Sequence, residues 1–162
     1  YINRAFIYPF RRRSKPMAVV IAATGAGVNV AMGCMNGRHL ARAAYAGTWL
    51  TDPRFIVGTA LFAAGFAINQ HADDVLLNLR KPGDTGHKIA RGGLFEYVSC
   101  PNLLGELMEW TGWAIATWSW PGLVFAAWSA ANLVPRARSN HRDYQTEFPD
   151  YPKRRALIPG LL

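Results

Sequence analysis

The chain has 162 residues, of which 51% are hydrophobic, and its 18 Lys and Arg against 10 Asp and Glu give a formal net charge of +8. This apolar content excludes a disordered tail or a collagen-like repeat, and two cysteines, Cys34 and Cys100, are too few for a disulfide scaffold. A mean hydropathy of +0.02 would suit a soluble protein, but the charges are clustered, so the average conceals long uncharged segments.

Three segments carry no Asp, Glu, Lys or Arg: residues 16–37, 55–70 and 110–135. A helix crosses the roughly 30 Å hydrocarbon layer of a bilayer with about 20 residues, so the first segment is long enough, and so is the second if it continues through Ala72. Residues 98–109 lead into the third segment, and at about 1.5 Å per residue a single helix over residues 98–135 would be about twice too long for one crossing.

A turn divides this third segment, because Ser119, Trp120, Pro121 and Gly122 lie near its centre and proline and glycine interrupt helices. The sequence therefore predicts an all-α fold, a polytopic transmembrane helix bundle. We expect a single membrane domain over residues 1–162, with four spans at about 17–36, 54–72, 98–119 and 121–138.

The positions of the basic residues argue against the alternative, a soluble helical bundle. Four spans place the N-terminal arm, residues 71–97 and the C-terminal tail on one side, and these regions hold 15 of the 18 basic residues. They are Arg4, Arg11, Arg12, Arg13, Lys15, Arg80, Lys81, Lys88, Arg91, Arg136, Arg138, Arg142, Lys153, Arg154 and Arg155. Such an excess marks the cytoplasmic side. We expect a multi-pass protein of a bacterial inner membrane or the endoplasmic reticulum, with cytoplasmic basic loops.

Polar residues at and just before the start of the third segment are candidates for a binding site. Asn102, Glu106, Glu109 and Trp113 are spaced so that they share one helix face. A carboxylate at membrane depth is costly and faces the protein interior or a water-filled cavity, although Glu109 can instead lie near the interface. Asn102 and Glu106 together offer the hydrogen-bond donors and acceptors that a carboxamide such as nicotinamide needs.

Two further polar clusters have two interpretations each. Asn69, His71, Asp73, Asp74, Arg80 and Lys81 form either a solvated helix end or a nucleotide site in which carboxylate and amide hold ribose and arginine holds phosphate. Arg136, Arg138, Asn140, His141, Arg142 and Tyr144 either bind the same ligand or anchor the chain to anionic lipid. The chain contains no GxGxxG, P-loop or HExxH motif and no CxxC metal pattern. Spacing alone therefore predicts no metal site, and membrane helices and loops would have to build any dinucleotide site.

Several of these segments resemble the C-terminal region of the steroid 5-alpha-reductase (3-oxo-5-alpha-steroid 4-dehydrogenase) family. They are residues 69–73, 79–83, 92–99, 102–106, 109–110, 116–119, 151–153 and 156–159. Residues 1–8 are similar to the segment that precedes the fourth membrane helix of that family. The resemblance covers essentially the whole chain, which would hold the last four of seven helices. The chain also opens on Tyr1 without an initiator Met or a signal peptide, so we expect a piece of a longer protein.

The resemblance implies NADPH-dependent reduction of the Δ4 double bond of a testosterone- or progesterone-like 3-oxo-Δ4 steroid. Hydride passes from nicotinamide to C5, a proton is added at C4, and the C3 carbonyl is polarised by a tyrosine and by an acid from the absent helices. Tyr1 matches that catalytic tyrosine. A monomer with no nucleic-acid partner is expected. Alternatives are a trans-2-enoyl-CoA or sterol reductase of the same architecture, an isoprenylcysteine-type methyltransferase, whose Arg-His-Pro signature is missing, and a non-enzymatic membrane scaffold.

By resemblance, a set of residues is assigned to the cofactor. Asn102 and Glu106 would hold the nicotinamide amide, and Asn69 and Asp73 the ribose and adenine end. The phosphates would be contacted or covered by Arg80, Lys88, Arg136 and Tyr144, with Lys15 at the 2'-phosphate and Asn140 beside them. Lys15 and Lys88 stand where relatives carry Arg, and lysine lacks the bidentate fork of a guanidinium; Asn140 stands where a relative carries His.

Overall fold

The computed structural model describes residues 19–79 and 88–160. Three residues assigned above, Tyr1, Lys15 and Arg80, lie outside these ranges. The described residues form four α-helices, α1 (Val19–Arg42), α2 (Pro53–Asn78), α3 (Pro101–Thr117) and α4 (Trp120–Glu147). Two short 3-10 helices, Trp49–Thr51 and Gly93–Glu96, precede α2 and α3. Within the described ranges no strand forms beyond an isolated bridge between Val98 and Arg155. The predicted all-α fold with four helices is confirmed.

Local sequence explains where α2 begins. The Asp52 carboxylate caps α2 by accepting a 2.8 Å hydrogen bond from the backbone N–H of Arg54, and Pro53 occupies the first helical position, where its missing N–H is not needed. The Arg54 side chain also donates to Asp52, and these hydrogen bonds lower the pKa of the Asp52 carboxyl to about 2. The cap therefore stays ionised at any pH near neutrality.

The break between α3 and α4 falls at Trp118 and Ser119, close to the turn expected at residues 119–122. Trp118 adopts the left-handed conformation with φ 44°, which ends α3. Ser119 then caps α4, because its hydroxyl accepts a 3.1 Å hydrogen bond from the N–H of Gly122. The Thr117 and Ser119 hydroxyls lie 2.9 Å apart. Two residues thus reverse the chain.

One of the described helices, α2, is long and apolar enough to cross a membrane by length and composition. Two of the others differ for visible reasons: α3 has 17 residues and includes Glu106 and Glu109, and the second half of α4 carries Arg136 and Arg138. Four helices are therefore present, while four membrane spans remain a prediction.

Glycines allow α2 and α3 to pack in backbone contact. Gly58 and Gly65 are seven residues apart on α2, and Gly105 and Gly112 are seven apart on α3. A Cβ atom at Gly65 would lie 2.6 Å from the carbonyl oxygen of Gly105, and one at Gly58 would lie 2.6 Å from that of Gly112. The pairing shows that the helices run antiparallel, and small residues at such a crossing are what close helix packing in membranes requires.

Replacing Gly105 with alanine is expected to destabilise the protein, because the new Cβ would lie 2.6 Å from the Asn69 nitrogen and from the Gly65 oxygen. Overpacking of this kind costs about 1–3 kcal/mol, so the midpoint of thermal unfolding in detergent should fall by several degrees. Gly33→Ala on α1 is the matched control, since a Cβ there meets nothing within 4 Å and alanine favours helix by about 1 kcal/mol. A lower midpoint for Gly33→Ala alone would contradict this account.

The C-terminal segment folds back onto the start of α3. Leu157 is fully buried and packs with Cys100, Leu103, Leu133 and Ala137. Backbone hydrogen bonds hold the segment in place: the Ser99 N–H donates to the Arg155 oxygen at 2.8 Å, and the Arg155 N–H donates to the Tyr97 oxygen at 3.0 Å. Residues far apart in sequence are thereby fixed around the N-terminus of α3.

Candidate functional site

A buried cluster of amide and carboxylate groups lies where α2 crosses the first turn of α3. The Asn69 side-chain amide donates to the backbone oxygen of Asn102 at 2.8 Å, and the Asn102 amide donates to Asp73 Oδ1 at 3.4 Å. Asn69 and Asp73 are 3% and 6% exposed. We call these three residues the amide–carboxylate cluster. Buried polar groups need partners, and these side chains use one another as partners in part.

Gly105 brings this cluster together. Gly105 has no side chain, so Asn69 on α2 can lie close to the backbone of α3. A Cβ atom at Gly105 would lie 2.6 Å from the backbone nitrogen of Asn69 and 2.9 Å from its Cβ. Glu106 is half-buried one turn after Asn102 on the same helix. Two residue pairs assigned separately, one to nicotinamide and one to ribose and adenine, therefore meet at one helix crossing.

A cavity of about 280 Å³ adjoins these positions. Ala72 and Pro101, the chain neighbours of Asp73 and Asn102, line it together with His71 and with residues 93–95 of the second 3-10 helix. The lining is mainly apolar. Apolar walls with a few polar groups nearby are typical of small-molecule sites.

The residues assigned on α4 follow a four-residue spacing. Arg136, Asn140 and Tyr144 lie one turn apart, which places them along one face of the helix. The Asn140 amide donates to the Cys100 sulfur at 3.8 Å, and buried Cys100 directly precedes α3. Arg136 is exposed and Tyr144 is half-buried. The α4 face thus contacts the N-terminus of α3 through Asn140, and half-buried Lys88 lies in the segment that leads to the 3-10 helix.

A second cluster, which no sequence pattern indicated, is centred on Tyr151. The Tyr151 ring stacks on Tyr144 with centroids 5.5 Å apart and planes 6° from parallel, and it meets the His141 ring edge-on at 5.9 Å. Its hydroxyl donates to Ser99 Oγ at 2.8 Å, and Arg154 Cζ lies 5.6 Å from the ring centroid. We call Tyr151 with these four neighbours the tyrosine hub.

Hydrogen bonds in the hub have one consistent direction. Tyr151 donates to Ser99, so the Ser99 hydrogen is available to His141 Nδ1, which lies 2.7 Å from Ser99 Oγ. Burial lowers the pKa of His141, which favours the neutral ring that can accept at Nδ1. The tautomer is assigned from this network.

Arg154 is the residue whose environment differs most from the sequence interpretation, which counted it as one of the basic residues of the cytoplasmic side. Its side chain is only 1% exposed. Nη1 donates to the Ala90 oxygen at 2.8 Å, and Nη2 lies 3.8 Å from Glu96 Oε2. Nε and Nη2 find no hydrogen-bond partner within the described ranges. A buried guanidinium is costly unless paired, and here its contacts tie the segment before α3 to the C-terminal segment.

The donor set of the site fits a dinucleotide. Amide and carboxylate groups suit a carboxamide and ribose hydroxyls. Two cations assigned to phosphate, Lys15 and Arg80, lie outside the described ranges. Among residues 19–79 and 88–160, no group of three or more His, Cys, Asp or Glu side chains could hold a metal ion.

A family model described as 3-oxo-5-alpha-steroid 4-dehydrogenase matches residues 15–162. The chain is 48% identical to 3-oxo-5-alpha-steroid 4-dehydrogenase 1 of Macaca fascicularis, over 99% of the chain and 62% of that protein. It is 46% identical to the human protein of the same name, over 99% of the chain and 63% of the relative. Steroid 5-alpha-reductase DET2 of Gossypium hirsutum is 44% identical, over 99% of the chain and 66% of that protein. The chain thus spans less than two thirds of the length of these relatives.

Proposed function

Because the chain belongs to the 3-oxo-5-alpha-steroid 4-dehydrogenase family, we propose that it is the cofactor-binding portion of a membrane steroid 5-alpha-reductase. The reaction is NADPH-dependent reduction of the Δ4 double bond of a 3-oxo-Δ4 steroid of the testosterone or progesterone type. The observation that carries the proposal is the amide–carboxylate cluster, which is buried at a helix crossing that glycines keep tight. A scaffold would gain nothing from such costly polar groups at that position.

The chain's own residues bind and orient the cofactor. Asn102 and Glu106 hold the carboxamide, which fixes the face of the ring presented to substrate. Asn69 and Asp73 hold the ribose and adenine end, and their burial keeps water from competing for these hydrogen bonds. Lys15, Arg80, Lys88 and Arg136 supply positive charge for the phosphates, and Asn140 and Tyr144 cover them from α4. When bound, NADPH supplies the hydride that is delivered to C5.

The C3 oxygen of the steroid gains negative charge as hydride reaches C5, and a proton is added at C4. A hydroxyl donor aimed at that oxygen stabilises the developing charge. Tyr1 is the proposed donor in this chain, together with an acid from helices outside it.

We further propose that α1 to α4 each contribute one membrane span, at about residues 17–36, 54–72, 98–119 and 121–138, in a multi-pass, monomeric protein with cytoplasmic basic loops. The exposed apolar side chains support this arrangement, because α1, α2 and α4 present large apolar residues outward. Examples are Val30 at 66%, Val57 at 57% and Leu123 at 51% exposure. Large apolar side chains that face outward on three helices fit contact with lipid or with further helices.

The direct test uses membranes from cells that express the full-length protein, incubated with testosterone or progesterone and NADPH. The expected result is the 5α-reduced product, which forms with NADPH and is absent without it. If an enoyl thioester is reduced and no 3-oxo-Δ4 steroid is, the proposed substrate class is wrong.

A further inference from the structure

The tyrosine hub joins three segments of the chain that are distant in sequence. His141 and Tyr144 come from α4, Ser99 comes from the segment just before α3, and Tyr151 and Arg154 come from the segment after α4. Tyr151 is the common element, since each of the other four contacts its ring or its hydroxyl. A substitution at Tyr151 would therefore alter contacts in all three segments.

The hydroxyl and the ring of Tyr151 make different kinds of contact. The ring contacts with Tyr144 and His141 have the offset-stacked and edge-on geometries that aromatic pairs favour, and phenylalanine could form them equally well. The hydroxyl adds one directed hydrogen bond to Ser99, which is 4% exposed. Buried hydrogen-bond chains whose members are all satisfied select one geometry out of several that packing alone would allow.

The hub lies between the two parts of the proposed cofactor site. Ser99 is three residues before Asn102, which belongs to the amide–carboxylate cluster. Tyr144 is one turn beyond Asn140 on the α4 face. The Tyr151 side chain contacts both Ser99 and Tyr144. The position of Tyr151 therefore determines the orientation of the α4 face relative to the amide–carboxylate cluster at α3.

We propose that Tyr151 is a positioning residue for the cofactor: through its hydrogen bond to Ser99 and its stack on Tyr144 it sets the affinity for NADPH without touching the reacting atoms. This inference rests on the proposed function. Arg154 supports the same arrangement, since its guanidinium lies over the Tyr151 ring and also donates to the Ala90 carbonyl in the segment that leads to α3.

The test is Tyr151→Phe in the full-length protein, which keeps the ring and removes the hydroxyl. Loss of one hydrogen bond predicts a rise of about threefold to tenfold in the Kd and KM for NADPH, with kcat at saturating NADPH within about twofold of the wild type. Kd is measured by fluorescence on purified protein without steroid. Ser99→Ala removes the other partner of the bond and should give a similar rise, and the double variant should add little to either single change.

Tyr97→Phe is the matched control. Tyr97 lies in the same segment as Ser99, its side chain is 64% exposed, and its hydroxyl makes no hydrogen bond to a residue of the described ranges, so Kd and KM should not change. A purely structural role for Tyr151 would lower the amount of folded enzyme, and with it the apparent kcat, while Kd and KM stay the same. That result, or an equal effect of Tyr97→Phe, would overturn the proposal.

The affinity measurement also separates this inference from the proposed function. Wild-type protein that binds NADPH but reduces no steroid would refute the proposed reaction, while the Kd series would still decide the role of Tyr151. Wild-type protein with no measurable NADPH affinity would refute both.

Discussion

Replacing Tyr1 with phenylalanine is expected to lower kcat for steroid reduction by about 10²–10³-fold, the usual effect of removing one donor from a developing oxyanion. The affinity for NADPH should stay nearly unchanged, because the hydroxyl is proposed to act on the C3 oxygen of the steroid. Single-turnover measurement of hydride transfer, combined with a binding measurement for NADPH, checks both halves of the expectation.

Tyr8→Phe serves as the control for this variant, since it makes the same chemical change seven residues away in the same segment. It should retain the wild-type rate. A Tyr1→Phe protein that loses rate and cofactor affinity to the same extent would point to damage of the fold and would count against a catalytic hydroxyl at Tyr1.

Replacing Glu106 with glutamine is expected to weaken NADPH binding by about 10- to 100-fold. The substitution preserves size but removes the charge, and hydrogen bonds to charged groups contribute about 1.5–3 kcal/mol. Half-buried Glu106 is one turn along α3 from Asn102, so the loss falls on the proposed carboxamide site. The Kd for NADPH, measured on purified protein, is the quantity to compare.

Glu109→Gln provides the matched comparison, because it is the same change three residues further along α3 at a position not assigned to the cofactor. We expect its Kd for NADPH to remain within about twofold of the wild type. Equal effects of the two variants would show that the general charge of α3 matters, and would contradict a specific contact by Glu106.

Local features of the sequence were the predictable part of the fold. Proline, glycine and serine near residues 119–122 predicted a chain reversal, and α3 ends at Thr117 with Ser119 capping α4. Asn69 and Asp73 are four residues apart, a spacing that places them on one helix face, and both side chains are buried near α3. These inferences needed only helix periodicity and the conformational limits of single residues.

Contacts between distant segments were not predictable in this way. Asn69 reaches Asn102 across 33 positions, and Tyr151 reaches Ser99 across 52; periodicity within one helix carries no information on either distance. The seven-residue spacing of glycines on both α2 and α3 is the one sequence signal that points to their close packing. Arg154 looked like a solvated cation because nothing local shows that the tail folds back to bury it.

The two-residue connection between α3 and α4 has a consequence for biosynthesis. Only Trp118 and Ser119 connect α3 to α4, and the hydroxyls of Thr117 and Ser119 are hydrogen-bonded to each other at this connection. This link leaves no loop that could remain on the far side of a bilayer while α4 is being synthesised. In a membrane, α3 and α4 would therefore have to be released from the insertion machinery together, as one hairpin.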